Sequence, residues 1–391
     1  MRGFKKISII IALLLPLALN AQVTIVNGNH ILEISGTLST YYNHRWILPT
    51  ETDKDKNRFN LRDAQFQFSG KIANQWRYEF QADLADFVSN TTGQPDAENP
   101  GLMEASVTYA LPKIANIKIG YGKLPYSFQS LVPFVESPYW QRAEIARGDF
   151  FSRRDVGVTL SKSLFKNKLF LDAGAYTGLG EKSLIGVNDA SGSLEYVGRA
   201  MFCYPARYRY RMIDFSHTVI PIFEIAINGR YTKRNLPSGA TFPAGSTGGY
   251  GMKIIDGEKY VYGADFAIQY KGLSIQLEAH QLKGIPTDTM SSLLFGTPQS
   301  FNGGFFKSGS AVAQINYYLK PANSVFSFRY EYQNISDLAE GYTERYSAAY
   351  AYKFKAANAM LKMQYYFFGK KETLADIKFN QQLRIGLQFN F

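Results

Sequence analysis

The chain has 391 residues, is 46% hydrophobic and 15% aromatic, and carries a formal net charge of +11. Mean hydropathy is −0.20, and after Ile7–Leu19 no run approaches the ~20 apolar residues a membrane helix requires, which excludes a helical membrane protein. Its one cysteine, Cys203, excludes an internal disulfide framework.

The first element is a leader. Arg2, Lys5 and Lys6 form a positive region, Ile7–Leu19 an apolar stretch of signal-peptide length, and Leu19-Asn20-Ala21 ends in a small residue before Gln22. Residues 1–21 are therefore expected to be a cleaved signal peptide and residues 22–391 a single exported domain. A retained membrane anchor is the alternative, for which the run is short. Loss of the three leader cations takes the net charge from +11 to +8, and no cysteine stands at the cleavage point to accept a lipid.

Beyond the leader the sequence alternates with a period of two. Trp76, Tyr78, Phe80, Ala82 and Leu84 interleave with Arg77, Glu79, Gln81 and Asp83, and Ala105, Val107, Tyr109 and Leu111 interleave with Glu104, Ser106 and Thr108. Phe326, Phe328, Tyr330 and Tyr332 share another face. At the C-terminus, residues 382–391, every odd position is apolar and every even one is polar or Gly. Successive strand side chains point to opposite faces, so each segment has one greasy and one wet side. Such runs predict strands at about 30–44, 58–72, 75–88, 102–112, 115–124, 154–163, 168–178 and 194–206. They continue at 218–233, 260–271, 273–284, 308–320, 324–336, 343–354, 357–369 and 380–391. The connections alternate long and short, as in outer-membrane barrels, and an even strand number places both termini on the short-turn, periplasmic side. The expected fold is all-β: a transmembrane antiparallel barrel of about 16 strands in the outer membrane of a Gram-negative bacterium, in contact with outer-membrane lipids. Sixteen strands enclose an aqueous channel where eight would be filled by side chains. Pro205 and Pro221 interrupt the pattern around the eighth and ninth strands. Phe391, an aromatic at the very end of the chain, resembles the signal read by the barrel assembly machinery.

Catalytic chemistry finds no constellation. The four histidines, His30, His44, His217 and His280, are scattered, and none adjoins a G-x-S-x-G serine. Metal-ligand spacing is absent. Gly248-Gly249-Tyr250-Gly251 has no following helix that would make it a phosphate cradle. No catalytic residue, metal, cofactor or nucleic-acid partner is expected.

Two basic features remain. Residues 125–153 form an apolar, aromatic connection that ends in Arg142, Arg147, Arg153 and, just beyond, Arg154. Folded inward, it would bury its aromatics on the barrel wall and present to the pore guanidinium groups suited to oxyanions. The alternative is an extracellular loop packed on its neighbours. Arg207, Arg209 and Arg211 alternate with Tyr208 and Tyr210. As a strand they make a charged ladder near the periplasmic mouth. As a turn they are solvated, or they meet lipid A phosphates or periplasmic partners.

Four segments resemble the phosphate-selective porin O and P family. Residues 57–66 are similar to its second-strand motif, Lys118 to Ser127 to its approach to the third loop, Arg154-Asp155-Val156-Gly157-Val158 to the start of its sixth strand, and residues 175–180 to a strand end. The resemblance is dense over about 57–180. It implies a 16-stranded homotrimeric porin with an inward third loop, whose arginines and a lysine bind an inorganic anion such as phosphate. Lys123 and the loop arginines are the matching positions. Asp63 and Gln65 stand where the family often carries arginines, and Gln129 where an acid is common. The reading is a passive outer-membrane porin favouring anions. The alternatives are a general non-selective porin, or an enzyme or adhesin on a barrel scaffold.

Overall fold

The computed structural model describes residues 23–46, 57–85, 101–146, 151–180, 192–234, 257–286, 305–334, 342–355, 358–370 and 381–391. The leader, its cleavage point and Arg147 lie outside the described residues.

The strands are β1 Val23–Asn27, β2 His30–Trp46, β3 Asn57–Ile72, β4 Trp76–Asp83, β5 Leu102–Leu111 and β6 Ala115–Lys123. Then come β7 Arg154–Leu164, β8 Leu169–Tyr176, β9 Glu195–Tyr204, β10 Ile222–Arg234, β11 Gly257–Tyr270 and β12 Leu273–Pro286. The last are β13 Phe306–Leu319, β14 Ser324–Asn334, β15 Thr343–Lys353, β16 Ala359–Lys370 and β17 Gln381–Asn390.

From β2 onward each strand pairs antiparallel with the next, and β17 returns to β2, from Gln381 opposite Trp46 to Asn390 opposite Thr37. Sixteen strands thus close into a barrel. Closure matters because an unpaired peptide group in hydrocarbon costs several kcal/mol. The seam runs past the last strand residue: Gly36 N–H donates to the Phe391 carbonyl at 2.6 Å, and Phe391 N–H donates to the Gly36 carbonyl at 3.0 Å. A Cβ on Gly36 would stand 2.5 Å from the Phe391 ring, so glycine makes the room for that ring.

The period of two becomes inside and outside. On β14, Val325, Ser327, Arg329 and Glu331 are buried toward the lumen while Phe326 and Phe328 are exposed on the outer wall. On β10, Glu224, Asn228 and Arg230 point inward and Ile225 and Ile227 outward. Outer aromatics pair across strands, as in Trp76–Tyr109 with ring centroids 4.5 Å apart and Tyr231–Tyr260 at 4.9 Å. Lipid outside and water inside require this pattern.

The fold departs from the sequence reading in two places. An additional strand, β1, pairs with the first part of β2, Val23 opposite Ile34. It occupies the β2 edge below Phe391, and the barrel remains one of sixteen strands. The eighth and ninth predicted strands overran: β9 stops at Tyr204 and β10 starts at Ile222. Residues 205–221 form a folded segment flanked by Pro205 and Pro221, neither of which can donate to a ladder.

That segment enters the lumen from the short-turn end. Asp214 fixes it: its N–H donates to Ser274 Oγ at 2.9 Å, and its carboxylate accepts from Thr218 N–H at 2.8 Å and Gly272 N–H at 2.9 Å. The Met212 carbonyl accepts from Gln276 and Asn316, both at 2.9 Å. Tyr208, Met212 and Ile213 are buried in a cluster with Phe128, Val132 and Tyr139 of the connection between β6 and β7. Two inserts, one from each end of the barrel, therefore meet in the lumen, with the Phe128 and Tyr208 rings 5.8 Å apart.

Candidate pore constriction

The described part of the β6–β7 connection, residues 124–146 and 151–153, folds inward. Its base is tied by Leu124 N–H donating to the Arg153 carbonyl at 3.1 Å. Ser127 Oγ caps the single helical turn Phe128–Leu131 and also bonds Glu278, which accepts Gln129 N–H at 2.9 Å. Trp140 is buried, with its backbone N–H on Gln364 at 2.7 Å and its indole N–H on the Lys362 carbonyl at 3.3 Å. Tyr139 meets Ser327 at 2.6 Å, Glu144 is ion-paired with Arg345, and Gln388 donates to the Val135 carbonyl at 2.6 Å. Apolar side chains held by polar bonds from β12, β14, β15, β16 and β17 explain why a lumen segment can be so aromatic: it packs on a wall.

Space remains on the other side. A cavity of about 320 Å³ lies between Gln65, Gln67 and Gln81 of the wall and Val135 and Glu136 of the loop. A second, of about 420 Å³, is lined by Glu33, Arg77, Glu79, Ser106, Thr108 and Lys118. The lumen is thus pressed toward β2–β6, and Gln67 borders both cavities.

Lys123, Arg142, Arg153 and Arg154 converge at the base of the loop. Lys123 Nζ donates to the Leu131 carbonyl at 3.1 Å, and its charged neighbours are Arg142, Arg153, Arg154 and Glu104. Arg142 donates to the Gln129 and Val132 carbonyls, each at 3.0 Å, and lies 4.9 Å from the centroid of the Phe134 ring. Arg154 is buried, and its Nε and Nη1 have no hydrogen-bond partner among the described residues. Asp155 spends its carboxylate on the N–H groups of Val156, Gly178 and Gly180.

Arg207, Arg209 and Arg211 do not form a strand ladder. They belong to the 205–221 insert, where the tyrosines turn inward; Arg207 and Arg209 are exposed, and Arg211 donates to Ser216 at 3.4 Å. Arg207 lies 4.7 Å from the Phe170 ring, at the channel mouth.

Two cations escaped the sequence reading. Arg62 of β3 stands 5.1 Å from the same Phe134 ring as Arg142, and Lys362 of β16 lies 5.8 Å from it and 5.3 Å from Trp140. Arg62 lies in the second-strand motif and is itself the extra residue of the bulge opposite Ser39 and Thr40 that sets the local facing of β3. Nothing in period-two counting marks it.

On β9 to β12 three lumen cations are ion-paired. Arg199 is bidentate to Asp265 at 2.6 and 2.7 Å, Arg230 is bidentate to Glu195 at 3.1 and 2.8 Å, and Lys259 joins Glu195 at 3.1 Å. Among the described residues no group of His, Cys, Asp or Glu is arranged to hold a metal ion.

A closed barrel with an apolar outside, a polar lumen and an inward third loop can now be compared with known proteins. Residues 44–204 match the family described as phosphate-selective porin O and P. No curated protein matches the chain. Among solved structures, the anion-selective porin from Comamonas acidovorans aligns with TM-score 0.55 and 10% identity, over 93% of this chain and 100% of that one. The outer-membrane expressed OmpT of Vibrio cholerae aligns with TM-score 0.58 and 9% identity, over 94% and 100%. The outer membrane channel DcaP of Acinetobacter baumannii gives 0.57 and 11%, over 94% and 99%. At such identities the structures attest the fold. Fold and family match together point to an outer-membrane channel for small solutes in a Gram-negative envelope.

Proposed function

We propose that the channel is a passive diffusion porin whose constriction favours anions such as phosphate. The observation that carries this is the convergence of Lys123, Arg142, Arg153 and Arg154 beside the loop, with Arg154 nitrogens that have no described protein partner. Like charges brought together in a low-dielectric site lower the cost of dehydrating an anion, while several weak sites keep it from being trapped. The paired charges of Arg199, Arg230 and Lys259 contribute little to that field, because each of these cations meets a carboxylate. The matched family is described as phosphate-selective and the Comamonas porin as anion-selective, and both point the same way.

The carboxylates Asp63, Asp83, Glu79 and Glu104 on β3–β5 favour the second reading, a general porin of weak selectivity. Single-channel conductance in planar bilayers, comparing chloride with phosphate, separates the two. Phosphate that conducts or blocks chloride current at low concentration supports the anion porin; phosphate without effect supports the general one. The same proposal includes a homotrimer, cleavage before Gln22, and recognition of Phe391 by the barrel assembly machinery. Crosslinking and N-terminal sequencing of the mature protein test the first two.

A further inference from the structure

The short-turn end of the barrel has a charge the channel does not need. From Pro112 to Asn358 every short connection carries at least one Lys or Arg, and Asp214 is the one acid in those connections. Asp214 is buried and engaged by backbone N–H groups, and it is ion-paired with none of the rim cations among the described residues.

Three of the rim lysines occupy positions that backbone chemistry would assign to other residues. Lys113, Lys166 and Lys271 have φ of +65°, +55° and +48°. The left-handed region disfavours a long side chain and is the usual place of Gly, Asn or Asp. The turns do not require lysine there. Nor do ion pairs within the fold, since none of the three is salt-bridged among the described residues.

Their neighbours are apolar and face outward. Ile114 and Phe165 are largely exposed beside Lys113 and Lys166, and Val219 and Ile220 are exposed on the adjoining insert. Lys168 Nζ lies 4.9 Å from the ring of Tyr204, and Lys271 Nζ lies 5.0 Å from the ring of Tyr270, both rings being on the lipid-facing wall. These two lysines therefore run along the outside of the barrel at its aromatic girdle and do not face the channel. Cations over interfacial aromatics, next to exposed apolar side chains, are the arrangement that meets a phosphate headgroup with its acyl chain beside it.

We propose that the outer arc formed by the turns at Lys113, Lys166–Lys168 and Lys271 binds anionic phospholipid headgroups of the periplasmic leaflet. The proposal is independent of what passes through the pore.

The test uses the full folded chain in neutral detergent, offered phosphatidylglycerol and phosphatidylcholine of matched acyl chains, with retained lipid counted by native mass spectrometry. Phosphatidylglycerol is expected to be retained preferentially, by roughly fivefold for each lysine near the surface at low salt, and the preference should fall as salt rises. A variant carrying Lys113→Gly, Lys166→Asn and Lys271→Asn should fold at least as well as the parent, because its turns gain favoured residues, yet lose most of the preference. Replacing the same three lysines with Arg should keep it. Equal retention of the two lipids, an undiminished preference in the Gly/Asn variant, or displacement of the lipid by inorganic phosphate would each overturn the proposal, the last by showing a free-anion site.

Discussion

On β9 and β10 two lumen arginines face carboxylates, Arg199 against Asp265 and Arg230 against Glu195, whereas at the base of the lumen loop Lys123 is surrounded by Arg142, Arg153 and Arg154, with the acid Glu104 also beside it. Both regions are buried and both are rich in arginine, so composition does not tell them apart. Their partners do. A matched pair holds two strands in register and has little field beyond its own dimensions. Grouped cations destabilise one another and keep their field for whatever enters the lumen. In the first region removing one partner harms the fold; in the second, removing Arg154 relieves repulsion and harms the selectivity.

The largest effect should come from opening the cylinder on which both regions depend. Phe391 closes the seam through two backbone bonds with Gly36 and sets its ring 6.1 Å from Phe66. Deleting it, or changing it to Asp, should abolish the heat-modifiable barrel on a gel; normal mobility from the truncated chain would show that β17 closes without it.

Next in size is the matched wall. Asp265→Ala leaves the buried guanidinium of Arg199 without its bidentate acceptor, a loss of about 3–5 kcal/mol, read as a lower midpoint in urea. Arg154→Ala should leave that midpoint unchanged or raise it, since it removes a buried cation whose Nε and Nη1 have no described partner. Equal destabilisation by the two substitutions would erase the distinction between the regions.

The smallest effect belongs to the mouth. Arg207 and Arg209 are exposed, and at physiological salt a field in water decays over about 8 Å. Arg207→Ala and Arg209→Ala should lower conductance slightly in dilute salt and leave selectivity unchanged in concentrated salt. A large selectivity change would move the filter from the loop to the mouth.

The wall was legible because membrane and water impose a period of two, and residues 382–391 or Phe326 to Tyr332 follow it without exception. The leading strand was legible in principle: Gly28-Asn29 is a two-residue hairpin signal, with Gly28 at φ +57°. The inserts were harder. The aromatic run at 125–153 shows that the loop wants a surface, but which surface depends on Glu278, Ser327 and Gln364, residues more than a hundred positions away. The segment 205–221 looks like a broken strand until its Met212 carbonyl is seen to meet Gln276 and Asn316. Arg62 and Lys362 join the site through a bulge and through contact with the loop, neither of which leaves a local trace.

The central claim is that cations grouped at the base of the loop set the ion preference. Two unit charges 4 Å apart interact by roughly 4 kcal/mol at an effective dielectric of 20, so even a fraction of that, lost at several positions, moves permeability severalfold. The decisive measurement is the reversal potential across a planar bilayer under a salt gradient, for the parent and for Lys123→Ala, Arg142→Ala, Arg153→Ala and Arg154→Ala, singly and together. The expected result is a severalfold fall in the anion-to-cation permeability ratio, largest in the combined variant, with conductance retained. An unchanged ratio in all of them, with conductance intact, would contradict it.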